Sequence, residues 1–384
     1  MNYERMKTLF FKLMETESPF GLEKDAAAVV CAFLDKHGIP WQDDGTAAKT
    51  GSNVGNIIIA GPGNARLSFN SHLDTIRIFE RKKPVCKGTI VKAESSAGAP
   101  AAAEESAAAE IAALGSGVLG IDAKSGVAAV LELAASLQEN GGIPEDIHFL
   151  LTVSEERGFR GAWALDPRHF KNAYTFVIDS GGIPLVRIVR RGIGEFTFTV
   201  KVRGTMGHAS LQNGKNAAVL AAKLIPLLNP GKAGTDSFIH IGGIECSYNP
   251  NTIPDLAVFY GQIMFFDEDE GNDLAMEMKE IVAKFGQVLD CKTEFEIVYD
   301  CAPWYVSDDD PIISYARDAA EKTGLPFALG ETRSGSDAQG ISQRGGKAIK
   351  ISTGMMQPHS KNEYIDLVDL NRCADYLWNL AIKS

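Results

Sequence analysis

Histidine and carboxylate side chains follow several stretches that are predicted to be strands, one of which, the segment 149–153, is an apolar, β-branched run typical of a buried strand. In chain order these residues are His72 and Asp74, Glu155 and Glu156, Asp179, and His359. Because the ligand crevice of an open α/β sheet lies beyond the carboxyl ends of its strands, we expect these side chains to lie close together. Imidazole and carboxylate suit zinc, with manganese or cobalt as alternatives. The pattern therefore predicts a metal site at one edge of a sheet.

Asp122 adds a further carboxylate, in a Gly-Ile-Asp-Ala-Lys-Ser-Gly segment just before an apolar helix. A single catalytic zinc takes about three protein ligands, whereas two ions can share a bridging carboxylate. The number of candidates fits two divalent ions with Asp122 as the bridge. His72 and Asp179 would complete one site. Glu156 and His359 would complete the other.

Two acidic residues remain without a metal in this assignment. Glu155 is expected to act as the general base, which takes a proton from a metal-bound water and passes it to the leaving amine. Asp74 stands two residues after His72, on the same side of an extended segment, and is expected to accept the second ring N–H of a histidine ligand. Taken singly, His72 also fits a buried core histidine, and Asp beside Gly is commonly a cap or turn residue. The metal site is predicted from the ordered set.

The composition excludes several classes of partner. Lys and Arg number 38 against 49 Asp and Glu, so the net charge of −11 argues against nucleic acid and anionic membranes. No apolar run approaches the ~18 residues of a membrane span, and the first residues lack the layout of a signal peptide. The six cysteines contain no C-x-x-C pair, which is typical of reduced thiols in a cytoplasmic protein.

Alternating strands and helices up to Asp179 predict an α/β domain, with a mostly parallel sheet between two layers of helices. This catalytic domain is expected to comprise residues 1–190 and 301–384. Residues 191–300 have the order β-α-β-β-α-β of a ferredoxin-like unit, which predicts an inserted lid domain.

Three local features carry separate expectations. Strands at 56–60 and 67–70 are expected to be neighbours. The Ala-, Ser- and Glu-rich segment 93–113 is expected to be either a mobile excursion or, in its second half, a short helix. In the lid, the strand at 237–245 is expected to be the outer one, and its open edge would pair with a symmetry mate in a homodimer.

Five segments resemble the dizinc peptidase family, which includes aminoacylase, the glutamate carboxypeptidases and peptidase T. They are His-Leu-Asp at 72–74, Gly-Ile-Asp-Ala-Lys-Ser-Gly at 120–126, Glu-Glu-Arg-Gly-Phe-Arg-Gly at 155–161, Asp-Ser-Gly-Gly at 179–182 and His-Ser-x-x-Glu at 359–363. The Glu-Glu segment and Leu-Gly-Ile-Asp at 119–122 are most similar to the peptidase T branch. The resemblance covers nearly the whole chain and implies a cis peptide bond after Asp122. It also implies that His208 is a lid donor that polarises the scissile carbonyl, often across a dimer.

The lid also contains the residues expected to contact substrate. The segment 251–254 matches the family, and Asn251 is the substrate-binding residue that the resemblance implies there. Many family members end the third lid strand on an arginine that holds a substrate carboxylate, but Met264 stands at this position. Arg333, in a loop similar to the family's Arg-Gly-Gly-Thr-Asp run, is expected to take over that task.

Together these features predict a cytoplasmic metallopeptidase that cleaves an amide bond in short peptides, as a tripeptidase or aminopeptidase. An N-acyl amino acid deacylase or a carboxypeptidase would use the same chemistry on another substrate. A catalytically silent, peptide-binding relative is a third hypothesis, which the intact Glu155 opposes. Whether His208 acts within its own chain or across the dimer is left open.

Overall fold

The computed structural model describes residues 1–77, 83–93, 118–182, 186–246 and 249–382. Nearly all of the Ala-, Ser- and Glu-rich segment lies outside the described residues. The chain divides into two compact units. Unit 1 comprises Met1–Arg190, Tyr305–Glu331 and Ser336–Ser384, and unit 2 comprises Arg191–Trp304 and Thr332–Gly335.

The strands are, in chain order, β1 (Gln42–Asp43), β2 (Ile57–Ile59), β3 (Leu67–His72), β4 (Pro84–Lys87), β5 (Ile90–Ala93), β6 (Ile147–Thr152), β7 (Tyr174–Gly181), β8 (Val186–Gly192), β9 (Gly194–Arg203), β10 (Gly207–His208), β11 (Gly231–Ala233), β12 (Ser237–Cys246), β13 (Thr252–Ile253), β14 (Leu256–Phe265), β15 (Lys292–Cys301), β16 (Trp304–Tyr305), β17 (Phe327–Thr332), β18 (Lys347–Met355) and β19 (Tyr364–Asp366). The α-helices are Tyr3–Glu15, Lys24–Lys36, Ala47–Thr50, Ile121–Glu139, Arg160–Ala164, Ala217–Leu224, Glu268–Val288, Pro311–Thr323, Asp337–Gln343 and Leu367–Ala381. Short 3-10 helices occur at Glu155–Arg157, Pro167–His169 and Ile225–Leu228. None of the helices in the described part of the chain has both the length and the apolar character needed to cross a membrane.

The main sheet of unit 1 has the strand order β1-β2-β6-β3-β7-β18-β8-β16, with β17 paired to β8. The central pairs β6–β3, β3–β7 and β7–β18 are parallel, whereas β2 and β8 run antiparallel to their neighbours β6 and β18. This arrangement confirms the predicted α/β class with a mostly parallel core. The expectation that the strands at 56–60 and 67–70 are neighbours was wrong, because β6 lies between the corresponding strands β2 and β3.

The helix Ile121–Glu139 is buried along almost its whole length and packs against β3 and β7. A Cβ atom at Gly126 would lie 2.0 Å from the main-chain oxygen of Ile178 and 2.5 Å from Ser71 Oγ. Only glycine allows this close approach, which presses the first turns of the helix against two strands. The start of the helix, which carries Asp122, is thereby held at the carboxyl edge of the sheet.

Unit 2 contains a five-stranded sheet of order β11-β12-β14-β9-β15. The helices Ala217–Leu224 and Glu268–Val288 pack on this sheet, and their apolar residues join those of β9 and β14 in one core. Leaving β11 aside, the order and the antiparallel pairing are those of a ferredoxin-like unit, which confirms the predicted lid fold. The prediction that β12 is the outermost strand was wrong, because the short β11 pairs with Ser237–Ile239 on its outer side.

Candidate metal centre

The carboxyl ends of three strands bring predicted residues to one edge of the unit 1 sheet. His72 is the last residue of β3, Glu155 lies three residues beyond β6, and Asp179 lies near the end of β7. All three side chains are buried. His72 Nε2 lies 3.9 Å from Glu155 Oε2 and 3.5 Å from Asp179 Oδ1. The three residues each place one potential ligand atom within 4.8 Å of the others.

Asp122 lies between this group and a second group, which contains Glu156 and His359. The peptide bond between Asp122 and Ala123 is cis, as the resemblance predicted. Asp122 Oδ1 lies 3.3 Å from His72 Nε2, while Oδ2 lies 3.3 Å from His359 Nε2. One carboxylate therefore faces two histidines, as a ligand shared by two ions must.

His359 reaches the second group from the loop that follows β18. Its backbone is left-handed, with φ 60°, and its Nε2 lies 2.8 Å from Glu156 Oε1. Glu156, Asp122 and His72 also place ligand atoms within 4.8 Å of one another. The side chain of His359 is 45% exposed, whereas that of His72 is 1% exposed. The second group is therefore the more open of the two.

The chemistry of the donor set fits a pair of divalent cations. Four carboxylates converge on the two imidazoles: those of Asp122, Glu155, Glu156 and Asp179. A buried ammonium contacts this set, because Lys350 Nζ lies 3.1 Å from Asp179 Oδ2. The ammonium offsets one of these four carboxylate charges, and burying the others without positive partners is costly. Two divalent ions held between these oxygens and ring nitrogens would offset it with the ligand types that zinc prefers.

The pKa values of the site are shifted by burial and by the close charges. Burial raises the pKa of Glu155 well above its ordinary value, although the nearby His72 charge opposes the shift. Burial alone would lower the pKa of His72, but the carboxylates of Glu155 and Asp122 outweigh it and raise this pKa. Contacts with Asp122 and Glu156 raise the pKa of His359 to about 10. A bound cation would displace protons from these groups, so metal affinity should fall at acid pH.

The turn that carries Glu155 and Glu156 is fixed by the carboxylate of Asp74. Its Oδ1 accepts the N–H of Glu155 and its Oδ2 accepts the N–H of Glu156, both at 3.0 Å. His72 Nδ1 lies 2.9 Å from the main-chain oxygen of Asp74 and 3.6 Å from Oδ1. The nearer acceptor for the second ring nitrogen is thus the main-chain carbonyl. The carboxylate orients the turn, which is a role that the sequence did not indicate.

Glu23 fixes the residue before this turn, and the sequence analysis missed it. The side chain is fully buried, and Oε1 accepts the Ser154 N–H at 3.0 Å and lies 3.1 Å from the Ser154 hydroxyl. The Gly21 N–H at 2.8 Å and the Ser52 hydroxyl are its other donors. Ser154 has φ 53°, a left-handed conformation that is unfavourable for a residue with a side chain. Two buried carboxylates thus hold three successive backbone N–H groups, at positions 154 to 156.

Two more buried acids support the site from other sides. Glu363 Oε2 accepts the N–H of Leu119 at 2.7 Å and of Gly120 at 3.0 Å, which directs the chain toward Asp122. Burial raises the pKa of Glu363 to about 7. Asp337 accepts the hydroxyl of Thr152 at the end of β6, and burial raises the pKa of Asp337 to about 6. Glu363 thus holds backbone N–H groups just before Asp122, and Asp337 holds the side chain of Thr152 just before the turn of Glu155 and Glu156.

Residues 115–383 match the model of the family described as Peptidase family M20/M25/M40. The chain belongs to this family. The matched residues make up most of the chain and include the predicted ligands Asp122, Glu156, Asp179 and His359 together with Glu155. The prediction of a peptidase from the branch resembling peptidase T is therefore confirmed.

The peptidase is similar to other proteins over nearly its whole length. It is 25% identical over 380 residues to Uncharacterized protein YqjE of Bacillus subtilis (strain 168), an alignment covering 98% of this chain and 97% of the relative. The structure of aminopeptidase PepT from Bacillus cereus ATCC 10987 is 25% identical, with a TM-score of 0.82 and coverage of 99% and 98%. A tripeptidase from Staphylococcus aureus subsp. aureus Mu50 has the same coverage, a TM-score of 0.85 and 21% identity.

In unit 2 of this peptidase, a small hairpin of β10 and β13 carries both His208 and Asn251. His208 lies opposite Thr252, and the main-chain oxygen of Asn251 accepts the N–H of Ala209 at 3.0 Å. His208 Nδ1 accepts the N–H of Ser210 at 3.3 Å and lies 2.9 Å from its hydroxyl. A backbone N–H can only donate, so Nδ1 of the neutral ring carries no hydrogen and Nε2 does. The hairpin thus presents His208 as a hydrogen-bond donor.

Arg333 lies in the part of unit 2 that Thr332–Gly335 contributes. Its guanidinium carbon is 4.4 Å from the ring centroid of Phe238. Phe238 is the β12 partner of Met264 on β14. Arg333 therefore places its positive charge against the strand beside Met264. That it binds a substrate carboxylate remains a prediction.

Proposed function

We propose that the chain is a two-metal peptidase that removes the N-terminal residue from short peptides. The observation that carries the proposal is the position of Asp122, whose two oxygens face His72 and His359 separately. His72 with Asp179 would hold one ion and Glu156 with His359 the other. Zinc is the first candidate, and manganese and cobalt are the alternatives. The likeness to a protein named an aminopeptidase, at 25% identity over almost the whole chain, supports the substrate class.

Each residue of the proposed site has a separate role in the hydrolysis. When bound, divalent ions supply Lewis acidity toward the water nucleophile and the scissile carbonyl. Glu155 takes a proton from the attacking water and gives it to the leaving amine. Asp74 and Glu23 keep that carboxylate in place by holding the backbone of its turn. His208 Nε2–H donates to the oxygen on which negative charge develops, while Asn251 and Arg333 bind the rest of the peptide.

The proposal includes a homodimer formed through unit 2. Beyond Ile239, the outer edge of β12 has no strand partner in the described part of the chain, and Ile244 on this stretch is 55% exposed. Edges of this kind are usually paired or protected, and pairing with a second copy gives a closed, isologous dimer. None of the six cysteines, all of which lie among the described residues, forms a disulfide bond, which is consistent with the reducing compartment expected for such an enzyme.

Mixing two inactive variants tests the dimer and the location of His208. Glu155→Gln chains and His208→Ala chains are combined under conditions that allow confirmed subunit exchange. If His208 serves the partner's site, mixed dimers contain one complete site and activity returns. No recovery would place His208 in its own chain, and a monomer at working concentration would overturn the dimer.

The substrate class is tested by digesting defined peptides with zinc-loaded protein. A free tripeptide should lose its N-terminal residue, and the same tripeptide with an acetylated N-terminus should be resistant. Cleavage of the acetyl group would indicate a deacylase, and release of the C-terminal residue a carboxypeptidase. No cleavage of any peptide by fully loaded protein would support the silent relative and contradict the proposal.

A further inference from the structure

The loop that leads to Glu23 also places an aromatic ring beside the metal edge, which is the edge of the unit 1 sheet that carries His72, Glu155 and Asp179. Phe20 is half-buried, and its N–H donates to the main-chain oxygen of Thr75 at 3.1 Å. In return, the Thr75 N–H donates to the main-chain oxygen of Ser18 at 2.8 Å. These bonds fix the loop to the residue directly after Asp74. The ring is therefore attached to a segment of the site and not to a free surface loop.

Two guanidinium groups lie against this ring. Arg77 Cζ is 5.2 Å and Arg157 Cζ is 5.9 Å from the centroid of Phe20. Arg157 directly follows Glu156, and Arg77 follows Thr75 by two residues. Arg77 and Arg157 are each the first cationic residue after a predicted metal ligand, His72 and Glu156 respectively. Two segments that are far apart in sequence therefore place a guanidinium group on the same ring. Both arginines are exposed to solvent.

Neither guanidinium forms an ion pair with a carboxylate among the residues that the structure describes. Other arginines of unit 1 do form such pairs: Arg5, Arg66 and Arg190. Two positive charges that share one ring repel each other, and stacking on the aromatic face offsets this only in part. An anionic group bound by both arginines would convert the repulsion into a charge-assisted contact.

We propose that Arg77 and Arg157, seated on Phe20, form an anion subsite that binds a carboxylate of the peptide substrate beside the metal centre. This inference rests on the proposed function, because the ligand is the peptide to be cleaved. The planar, two-pronged guanidinium group matches a carboxylate, which makes arginine better suited than lysine. The carboxylate belongs either to the C-terminus of a short peptide or to an acidic side chain. A subsite for the C-terminus would select peptides of a length that reaches from it to the metals.

Three tripeptides separate these sources: Ala-Ala-Ala, its C-terminal amide, and Ala-Ala-Glu with an amidated C-terminus. They are assayed with wild type, Arg77→Met, Arg157→Met and the double variant, all loaded with zinc. Arg372→Met is the matched control, because Arg372 is an exposed arginine on the helix Leu367–Ala381. Each single substitution should raise KM for the preferred peptide by about tenfold, with kcat nearly unchanged, since charge-assisted hydrogen bonds contribute about this much. Arg157→Lys should restore part of the affinity.

A binding measurement provides a second readout that does not depend on turnover. Glu155→Gln protein is titrated with each peptide by calorimetry, with and without the two arginine substitutions. We expect the peptide with the recognised carboxylate to bind about 10- to 100-fold more tightly than the plain amide, and the double substitution to abolish that difference.

Equal KM and equal affinity for all three peptides would overturn the subsite and leave the proposed function intact. The same would follow if Arg372→Met had an effect as large as the two subsite substitutions. Absence of both hydrolysis and binding for all three peptides in fully loaded protein would overturn the proposed function and the subsite together. A loss of kcat without a change in KM would show that the arginines support the Glu156 turn and do not bind substrate.

Discussion

The metal edge of unit 1 and the β10–β13 hairpin of unit 2 hold their functional side chains in different ways. At the edge, His72 and Glu155 are buried, and the buried carboxylates of Asp74 and Glu23 fix the backbone from which Glu155 projects. On the hairpin, His208 and Asn251 are exposed, and His208 is oriented by its near neighbour Ser210. Under the proposed function, unit 1 sets a rigid geometry for the chemistry, whereas unit 2 offers contacts that substrate can reach.

The largest effect is expected at the rigid edge. Glu155→Gln removes the proposed general base but keeps the size and shape of the side chain, so kcat should fall by about 10²–10⁴-fold. The free energy of unfolding should not decrease, because a buried charge is removed. Glu145→Gln, on an exposed residue before β6, is the control and should behave as wild type. Turnover within a few-fold of wild type in Glu155→Gln would show that another group is the base.

On the hairpin, His208→Ala should lower kcat by about 10²–10³-fold through loss of the proposed donor to the developing oxyanion. Since the side chain is exposed, the free energy of unfolding should stay within about 0.5 kcal/mol of wild type. Chemical denaturation and steady-state kinetics measure the two quantities. His240→Ala replaces another exposed histidine of unit 2 and should leave both unchanged. A large loss of stability in His208→Ala would remove the contrast between the two regions.

Glu23 should show the smallest catalytic effect and a clear effect on stability. Glu23→Ala leaves the N–H of Ser154 buried without its acceptor, which costs about 1–3 kcal/mol of the free energy of unfolding. The turn of Glu155 should then be less well placed, and kcat should fall by about tenfold. Glu23→Gln keeps one acceptor oxygen and should recover most of both quantities. Wild-type kcat in a destabilised Glu23→Ala protein would show that Glu23 supports the fold alone.

The sequence was sufficient for features whose residue types are distinctive. His and carboxylate residues at strand ends identified the two groups that Asp122 connects, and the strand and helix order of residues 191–300 identified the ferredoxin-like unit. These inferences succeed because only a few residue types bind metal ions. They also succeed because the period of the apolar residues and the length of a segment distinguish strands from helices.

The remaining features depend on contacts between distant parts of the chain. Glu23 stands at the start of a helix, where glutamate is common, and only the fold shows that it meets Ser154, 131 positions away. Lys350 looks like any lysine of a strand until β18 places it beside Asp179. The insertion of β6 between β2 and β3 likewise follows from three-dimensional packing, since all residues of β2 and β3 are buried and either pairing would bury them.

The metal content of three proteins tests the central claim most directly. Glu155 and Glu156 are adjacent, and both lie near His72, so the geometry alone allows either one to be a ligand. We predict two divalent ions per chain in wild type and in Glu155→Gln at saturating zinc, and fewer than two in Glu156→Gln. One ion or none in folded wild type, or loss of an ion from Glu155→Gln with two retained in Glu156→Gln, would contradict the account.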